Sequence, residues 1–360
     1  MKHMEKKMLS LAARTPESID YRYRRIIRKR WLLMLIVILA IAVSLTFDFT
    51  LGPSALSLPE LWRSLFHPTE VSVGMRVIVR EIRLPYALMA LWVGMALGLA
   101  GAEMQTLLNN PLVSPFTLGV SSAAAFGAAL AIVSGVGIPG IPEAWFIPAN
   151  AFLFALLSAF LLDWLTRWTR VATPGVVLFG IALVFTFNAL VAMMQFVADE
   201  DTLQGLVFWT MGSLTRASWE KVGVLVVASI PLLLWAMRSA WSLTALRLGE
   251  DRAMSFGIDI RRLRRASLLR ISLLSALSVA FVGPIGFIGL VAPHIARILF
   301  GEDHRFYLPG SMLTGGLVLS LASIASKNIF PGVIIPVGIV TSLVGVPFFL
   351  SIILRYRGKV

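Results

Sequence analysis

Long apolar runs alternate with short polar breaks along nearly the whole chain. Ten such runs can be separated, at 31–49, 87–104, 118–132, 146–165, 176–196, 222–237, 268–282, 283–301, 312–324 and 337–354. A membrane-spanning helix needs about 20 mainly apolar residues, and most of the runs approach that length. Strands of a transmembrane barrel would alternate apolar and polar residues, whereas these runs are continuous. The pattern therefore predicts an all-α polytopic membrane protein with about ten transmembrane helices.

Two stretches depart from a simple spanning pattern. Residues 283–301 are apolar but contain Gly283, Pro284 and Pro293, so we expect a short and interrupted span there. Residues 204–219 include the sequence FWTMGSL, which is too short and interrupted to cross a bilayer. We expect this second stretch to form helices that lie at the outer membrane interface.

The composition supports one membrane domain and leaves little room for a soluble one. Of 360 residues, 58% are hydrophobic and only 14% are charged, whereas a soluble domain carries about 25% charged residues. We therefore expect a single transmembrane domain over residues 31–354, with polar tails at 1–30 and 355–360. The chain has no cysteine, which excludes disulfides, thiolate catalysis and cysteine-based metal sites.

Positive charge is concentrated in a few segments beside apolar runs. The net charge is +13, and the basic segments are residues 22–30, 248–265 and 355–360. Threading ten spans places all three on one side, which the positive-inside rule identifies as the cytoplasm. This arrangement favours an inner (plasma) membrane protein with both termini cytoplasmic, and it argues against nucleic-acid binding. The predicted outer segment with Arg63, Arg76, Arg80 and Arg83 breaks the bias and needs another reason.

The spans offer little chemistry of their own. They contain few ionisable residues, although ion-coupled carriers usually need buried carboxylates or histidines as relays. The phosphate-binding sequence Gly-x-x-x-x-Gly-Lys and paired-histidine metal motifs are both missing from the sequence. We therefore expect a transport protein that is not an enzyme and binds no cofactor or metal, with energy supplied by a partner. An ion-coupled secondary transporter remains the alternative.

Small residues and the basic island suggest where helices and partners pack. Gly94, Gly98 and Gly101 favour close helix packing in the second run, with lining of a pore between subunits left open. The island at 248–265 is longer than an orientation signal requires. Between Gly249 and Gly257 it can form a short helix, which suits docking of another protein.

The order of several sequence blocks carries a family resemblance. The chain contains RLPYALMALWVGMALGLAGAEMQTLLNNPLVSPFTLGVSS at 83–122, followed by FWTMGSL, LGEDRAMSFGI, GPIGFIGLVAPHIAR, GEDHRFYLPGS and IPVGIVTSLVGVPFF. This ordered set resembles the FecCD-type ABC permeases, which import vitamin B12, ferric siderophores and haem. The resemblance implies a ten-span type II importer subunit that dimerises with a second permease subunit. It also implies two ATPase subunits that bind ATP and Mg²⁺, and a periplasmic or lipid-anchored binding protein that delivers an iron chelate.

The resemblance also assigns roles to individual residues. It places ATPase coupling at Leu248, Gly249, Glu250, Ala253 and Gly257, and binding-protein docking at Arg83, Tyr86, Arg80 and Lys327. A cytoplasmic gate matches Thr173 and Pro174, and the pathway along the fifth and tenth spans suggests Met193, Met194, Gln195 and Phe196. Lipid or core packing is an equal alternative for each of the last four.

Three positions depart from the family pattern. Tyr86 stands where the family has a second arginine, Ser323 where it has an aspartate, and Ile334 where it often has a glutamate. Arg80 is a candidate to replace the missing arginine. Among the cargo classes, a ferric siderophore is the first expectation, with haem and cobalamin next.

Overall fold

Helices make up almost all regular structure in this chain. The computed structural model describes residues 16–52, 58–67, 69–135, 139–169 and 173–356. The α-helices are α1 Pro16–Thr50, α2 Leu58–Phe66, α3 Val73–Val77, α4 Leu84–Leu107, α5 Val120–Ser134, α6 Phe146–Thr169, α7 Thr173–Val197, α8 Glu200–Thr210, α9 Trp219–Arg238, α10 Ala240–Leu246, α11 Glu250–Ser255, α12 Ile260–Val282, α13 Ile288–Phe300, α14 His304–Asn328 and α15 Val337–Tyr356. A π-helical segment, Ile78–Arg83, joins α3 to α4.

The ten predicted spans are confirmed in number and order within the described residues. Seven segments are long and apolar enough to cross a membrane, namely Asp20–Thr50, Val73–Leu107, Phe146–Leu165, Gly175–Val197, Trp219–Arg238, Ile260–Val282 and His304–Asn328. Three shorter apolar helices, Val120–Ser134, Ile288–Phe300 and Val337–Ser351, fill the remaining predicted places. The boundaries differ mainly near the N-terminus, where α1 begins at Pro16 and runs through the basic segment into the first span.

Helix α4 lies at the centre of the bundle. It is apolar around its whole circumference, and nearly all of its residues are buried, as expected for a helix surrounded by others. A Cβ atom on Gly94 would clash with the carbonyl of Gly315, and one on Gly101 would clash with the carbonyl of Gly289. These contacts bring the α4 backbone against α14 and α13 and confirm that the small residues serve close helix packing.

The broken segments interlock, and the FWTMGSL stretch packs partly into the bundle. Trp209 and Leu214, at the two ends of this turn, are fully buried. The Ser213 amide donates to the Val282 carbonyl at 2.7 Å, and the Gly338 amide donates to the Gly212 carbonyl at 3.1 Å. The turn therefore sits against the end of α12 and the start of α15, where it satisfies backbone groups that those helix ends leave free.

Long-range contacts define two ends of the bundle. At one, which we call the basic end, Arg30 of α1 pairs with Asp303 at 3.4 Å. At the other, the opposite end, Asp48 of α1 pairs with Lys327 at 2.7 Å. Asp303 caps the N-terminus of α14, and Lys327 lies in its last turn, so α1 and α14 run side by side between the two ends.

Candidate functional site

The basic end carries the short helix that the sequence predicts between two glycines. Helix α11 spans Glu250–Ser255 and is preceded by Gly249 at φ +107°. Gly257, just after the helix, has φ +78°. Both are backbone conformations that residues with a Cβ atom rarely adopt. The space around both glycines is open, so the two positive φ angles, and not crowding, account for glycine at these positions.

This loop exposes three large apolar side chains on an otherwise charged surface. Leu248, Met254 and Phe256 are 54%, 55% and 63% exposed. Ala253 is fully buried and anchors α11 against the bundle, while Glu250 pairs with Arg264 at 2.5 Å. Exposed large apolar side chains on one short loop suit contact with a partner protein. The sequence analysis missed Met254 and Phe256, although two large apolar residues within a basic island are a readable signal.

Polar contacts tie this loop to the central helices. Arg247, directly before the loop, pairs with Glu302, which also lies 3.6 Å from Arg297 of α13. His304, the first residue of α14, contacts the Thr106 hydroxyl of α4 at 2.8 Å through Nε2. Through Nδ1 it contacts the Thr244 hydroxyl of α10 at 3.1 Å. One end of the loop is thereby connected to α4, α10, α13 and α14.

Asp303 keeps its negative charge beside these contacts. Burial alone would raise the pKa of Asp303, but the hydrogen bonds from Arg305 and the positive charges of Arg305 and Arg30 together leave this pKa below its ordinary value. The Arg305 guanidinium donates to Asp303 Oδ2 at 2.7 Å. The ionised carboxylate also accepts from the Arg305 amide at 3.1 Å and so caps α14.

At the opposite end, three of the four predicted docking residues gather around the C-terminus of α1. Lys327 donates to the Asp48 carboxylate at 2.7 Å and to the Asp48 carbonyl at 2.9 Å. Its ammonium lies 4.3 Å from the centre of the Tyr86 ring, a cation–π contact. Arg83 donates to the carbonyls of Phe49 and Thr50 at 2.8 and 3.0 Å. All three side chains are used within the chain.

The same three residues are buried. Arg83, Tyr86 and Lys327 are only 6%, 4% and 6% exposed. Arg80 does not join them, because its guanidinium donates to the carbonyls of Ser64 and Leu65 in α2 at 3.2 and 2.7 Å. Positive charge in this predicted outer segment therefore holds the ends of α1 and α2 in place.

The structure gives a physical account of the three departures from the family pattern. Ser323 donates to both carboxylate oxygens of Asp48 at 2.8 and 2.9 Å, so Asp48 of α1 supplies the acidic group that α14 lacks. Tyr86 and Ile334 line one small cavity of about 120 Å³. Tyr86 stands at the position of the pattern's second arginine, and Ile334 at the position where it often has a glutamate. These two positions are thus neighbours, and a less polar side chain occupies each of them here.

Helix α7 carries the predicted gate and pathway residues. Thr173 and Pro174 begin this helix, but their side chains lie outside the described part of the structure. Gln195 lines a cavity of about 300 Å³. Met193, Met194 and Phe196 do not line that cavity, and Phe196 is 89% exposed. Of the four predicted pathway residues, only Gln195 therefore lines this cavity.

A second buried ion pair joins α4 to α12, and the sequence analysis missed it. Arg270 Nε lies 3.0 Å from each Glu103 carboxylate oxygen, and both side chains are inaccessible. Arg270 also donates to the Ser267 hydroxyl at 2.9 Å and lies over the Trp235 ring. Among the described residues, no group of three or more His, Cys, Asp or Glu side chains could hold a metal ion.

Comparisons with known proteins agree with this architecture. The profile of the FecCD transport family matches residues 31–355. The hemin transport system permease of Yersinia pestis is 35% identical, over 91% of this chain and 95% of its own length. A vitamin B12 import system permease of Vibrio vulnificus is 32% identical, over 91% and 95%. A solved metal-chelate-type ABC transporter in an inward-facing conformation is 29% identical with a TM-score of 0.79, and the match covers 90% of this chain and 99% of that one.

The match includes every one of the ten apolar helices and confirms the resemblance carried by the sequence blocks. Membership of this family agrees with the observed fold, an all-helical membrane protein in which glycines let neighbouring helices pack closely against α4. The chain belongs to the FecCD transport family and is a permease of the ABC importer class.

Proposed function

We propose that this chain moves an iron chelate across the inner membrane toward its basic end, driven by separate ATPase subunits. A ferric siderophore is the first choice of cargo, with haem and cobalamin next, because permeases for hemin, iron chelates and vitamin B12 are all among its relatives. The observation that carries the proposal is the exposure of three large apolar side chains on α11 and its flanks, Leu248, Met254 and Phe256.

The assembly we propose has two permease subunits, two ATPases and an external binding protein. The sequence contains no Gly-x-x-x-x-Gly-Lys loop, so ATP and Mg²⁺ belong on the partner ATPase. The basic end and both termini face the cytoplasm in this arrangement, following the positive-inside rule. The comparisons give the alternative, an ion-coupled transporter, no support.

Contacts of the loop supply a route for coupling. Displacement of α11 by a partner would move Arg247, and through its ion pair also Glu302, which lies between α13 and α14. His304 bridges Thr106 of α4 and Thr244 of α10, so movement at the start of α14 displaces the central helix. Packed helices respond by small shifts between discrete arrangements and not by continuous deformation.

For the external partner, we propose an indirect role of the predicted docking residues. Arg83 and Lys327 are buried and fix the end of α1 through Phe49, Thr50 and Asp48. Replacement of Arg83 by glutamate would therefore disturb the shape of this surface in addition to its charge.

The test is co-purification of the ATPase with variants of the loop. Phe256→Glu and Met254→Glu each place a charge at one of these exposed apolar positions, and we expect each to reduce recovery of the ATPase at least roughly tenfold, a loss of about 1.4 kcal/mol of binding. The matched control is Trp62→Glu, which changes an exposed aromatic residue on α2 at the opposite end. Undiminished recovery with both loop variants, or an equal loss with the control, would contradict ATPase docking on this loop.

A further inference from the structure

An open groove of about 480 Å³ lies between α9 and α12 at the basic end of the bundle. Its lining consists of Trp235 from α9 and of Asp259, Arg262, Arg265, Ala266 and Leu269 from the start of α12. Trp235 stands one turn before the end of α9 at Arg238, and α12 begins at Ile260. Both helices are long and apolar enough to cross the membrane. The groove therefore lies where two spans meet the membrane surface.

Two arginines bring positive charge to this groove without an acidic partner. Arg262 and Arg265 are exposed, and neither forms an ion pair with another residue in the described part of the chain. Arg264, which lies between them in sequence, instead pairs with Glu250 of the loop at 2.5 Å. Asp259 is also in the lining, but its carboxylate accepts a hydrogen bond from the Arg262 amide at 3.0 Å and caps α12. The groove thus has two guanidinium groups facing one carboxylate, and its charge is positive.

The lining changes from charged to apolar along α12. Arg262, Arg265 and Leu269 are spaced by three and four positions, so they lie on one face of the helix. At 1.5 Å per residue, Leu269 lies about 10 Å further along the helix than Arg262. The Trp235 ring is in contact with Arg270, the residue after Leu269, and so borders the apolar part of the groove. Trp235 is 37% exposed, and tryptophan is enriched at the level of lipid head groups.

This order of side chains restricts what could bind. Guanidinium groups bind phosphate through paired N–H donors, and the opposite charges strengthen these bonds. Like charges one turn apart on a helix repel, so a phosphate between Arg262 and Arg265 relieves that repulsion. A soluble phosphate would leave Leu269 and Trp235 without a partner. Basic pockets between spans on the cytoplasmic side of a membrane suit the head groups of anionic lipids.

We propose that this groove binds an anionic glycerophospholipid from the leaflet at the basic end. The phosphate lies between Arg262 and Arg265, and the first methylene groups of one acyl chain lie along Leu269 and Trp235. The volume of about 480 Å³ is within the range of small-molecule sites, about 300–1,000 Å³, and it accommodates the phosphoglycerol group while most of each chain stays in the bilayer. This binding is separate from cargo transport and is the same whichever chelate is carried.

Native mass spectrometry of the delipidated permease in detergent measures the affinity. Dioleoylphosphatidylglycerol is the probe, and dioleoylphosphatidylcholine, whose head group carries its own cation, is the comparison. We expect the Kd of the first bound phosphatidylglycerol to be at least roughly tenfold lower than that of phosphatidylcholine. Arg262→Gln with Arg265→Gln should abolish this preference. Lysine at both positions should retain most of it, because ammonium groups also bind phosphate.

The matched control is the double variant Arg22→Gln with Arg25→Gln. These two arginines are also exposed, three positions apart and at the basic end, but they belong to α1 and do not line the groove. We expect this variant to keep the preference for phosphatidylglycerol. An equal loss in the control would show that any surplus of positive charge attracts the lipid, and it would overturn the site.

Photo-crosslinking shows where the lipid binds and requires no substitution, so it decides the matter even if the glutamine variant does not fold. Phosphatidylglycerol with a diazirine close to the ester of one acyl chain should label the peptides that contain Trp235 and Leu269. Labelling confined to other helices would overturn the site. Displacement of the lipid by inorganic phosphate as readily as by unlabelled phosphatidylglycerol would show a site for free anions and would overturn the assignment to lipid.

Co-purification separates lipid binding from ATPase docking. We expect Arg262→Gln with Arg265→Gln to retain the ATPase, and Phe256→Glu to lose the ATPase while it retains the preference for phosphatidylglycerol. Loss of the ATPase from the glutamine variant, with its lipid preference unchanged, would show that the partner protein covers this groove and would overturn the lipid site.

Discussion

Four of the charges buried inside this bundle form two pairs. Lys327 with Asp48, and Arg270 with Glu103, are almost completely buried ion pairs that join different helices. Taking a charge out of water costs several kcal/mol, and the opposite charge offsets this cost only while both members remain. Each pair is therefore a strong constraint on which helices lie side by side.

Removing one member of the opposite-end pair should lower the free energy of unfolding more than removing both members. We expect Lys327→Met to lower the free energy of unfolding by about 3 kcal/mol, because it leaves the Asp48 carboxylate buried without a cation. Asp48→Asn should have a comparable cost. The double variant should be less destabilised than the sum of the two single variants. Equilibrium unfolding of the purified protein in detergent measures all three.

The neighbouring Asn328→Ala serves as the control for this cycle. Asn328 is exposed and donates only to the Ile324 carbonyl of its own helix, so its loss should change stability little. Additive effects of the two single substitutions would mean that Lys327 and Asp48 do not stabilise one another.

The sequence shows all four charged residues, but it does not reveal which of them pair with one another. Asp48 and Lys327 are 279 positions apart, and Glu103 and Arg270 are 167 apart. Apolar run length predicts that a helix crosses the membrane, but it does not say which face meets which neighbour. The sequence therefore identified Lys327 as a functional candidate through family resemblance without revealing that Asp48 neutralises it.

At the scale of elements, the interrupted segments are joined by backbone hydrogen bonds. The turn after α8, the break between α12 and α13, and the start of α15 meet at Gly212 and Gly338. A Cβ atom on Gly212 would clash with the Pro284 carbonyl, and its φ is +70°. Glycine is thus required there both by backbone conformation and by close approach.

A pair of glycine substitutions separates these two requirements. Gly212→Ala should destabilise the protein by clearly more than Gly332→Ala and should speed hydrogen exchange at the start of α15. Gly332 also has a positive φ, +79°, but lies in open space. Its replacement should therefore cost only the conformational penalty of about 1–2 kcal/mol. Thermal unfolding with peptide-resolved hydrogen exchange measures both effects, and equal losses would show that packing against Pro284 contributes nothing.

The elements were predictable where an apolar run was long and continuous. The ten spans follow from run length, and the helix between Gly249 and Gly257 follows from its two flanking glycines. The burial of Trp209 and Leu214 in FWTMGSL was not predictable, because a short apolar segment has the same composition on a surface and in a core. The partners of the small residues in α4 also depend on packing between helices that are distant in sequence.

At the scale of the whole molecule, the two ends differ in charge and in their connections. The basic end joins α1, the loop after α10 and the start of α14 through Arg30, Arg247, Glu302 and Asp303. The opposite end is joined through Lys327 and Asp48. The surplus of arginine at the basic end predicts its side of the membrane, because positively charged segments remain cytoplasmic.

This orientation can be tested with single cysteines in the cysteine-free chain. Ser255 lies in the exposed loop at the basic end, and Glu70 is exposed between α2 and α3 at the opposite end. We expect a membrane-impermeant maleimide to label Glu70→Cys but not Ser255→Cys in intact spheroplasts, and to label both after permeabilisation. The unaltered chain should remain unlabelled throughout. Labelling of Ser255→Cys alone in intact spheroplasts would place the loop outside the cell, where ATP is scarce, and an ATPase could not drive transport from that surface.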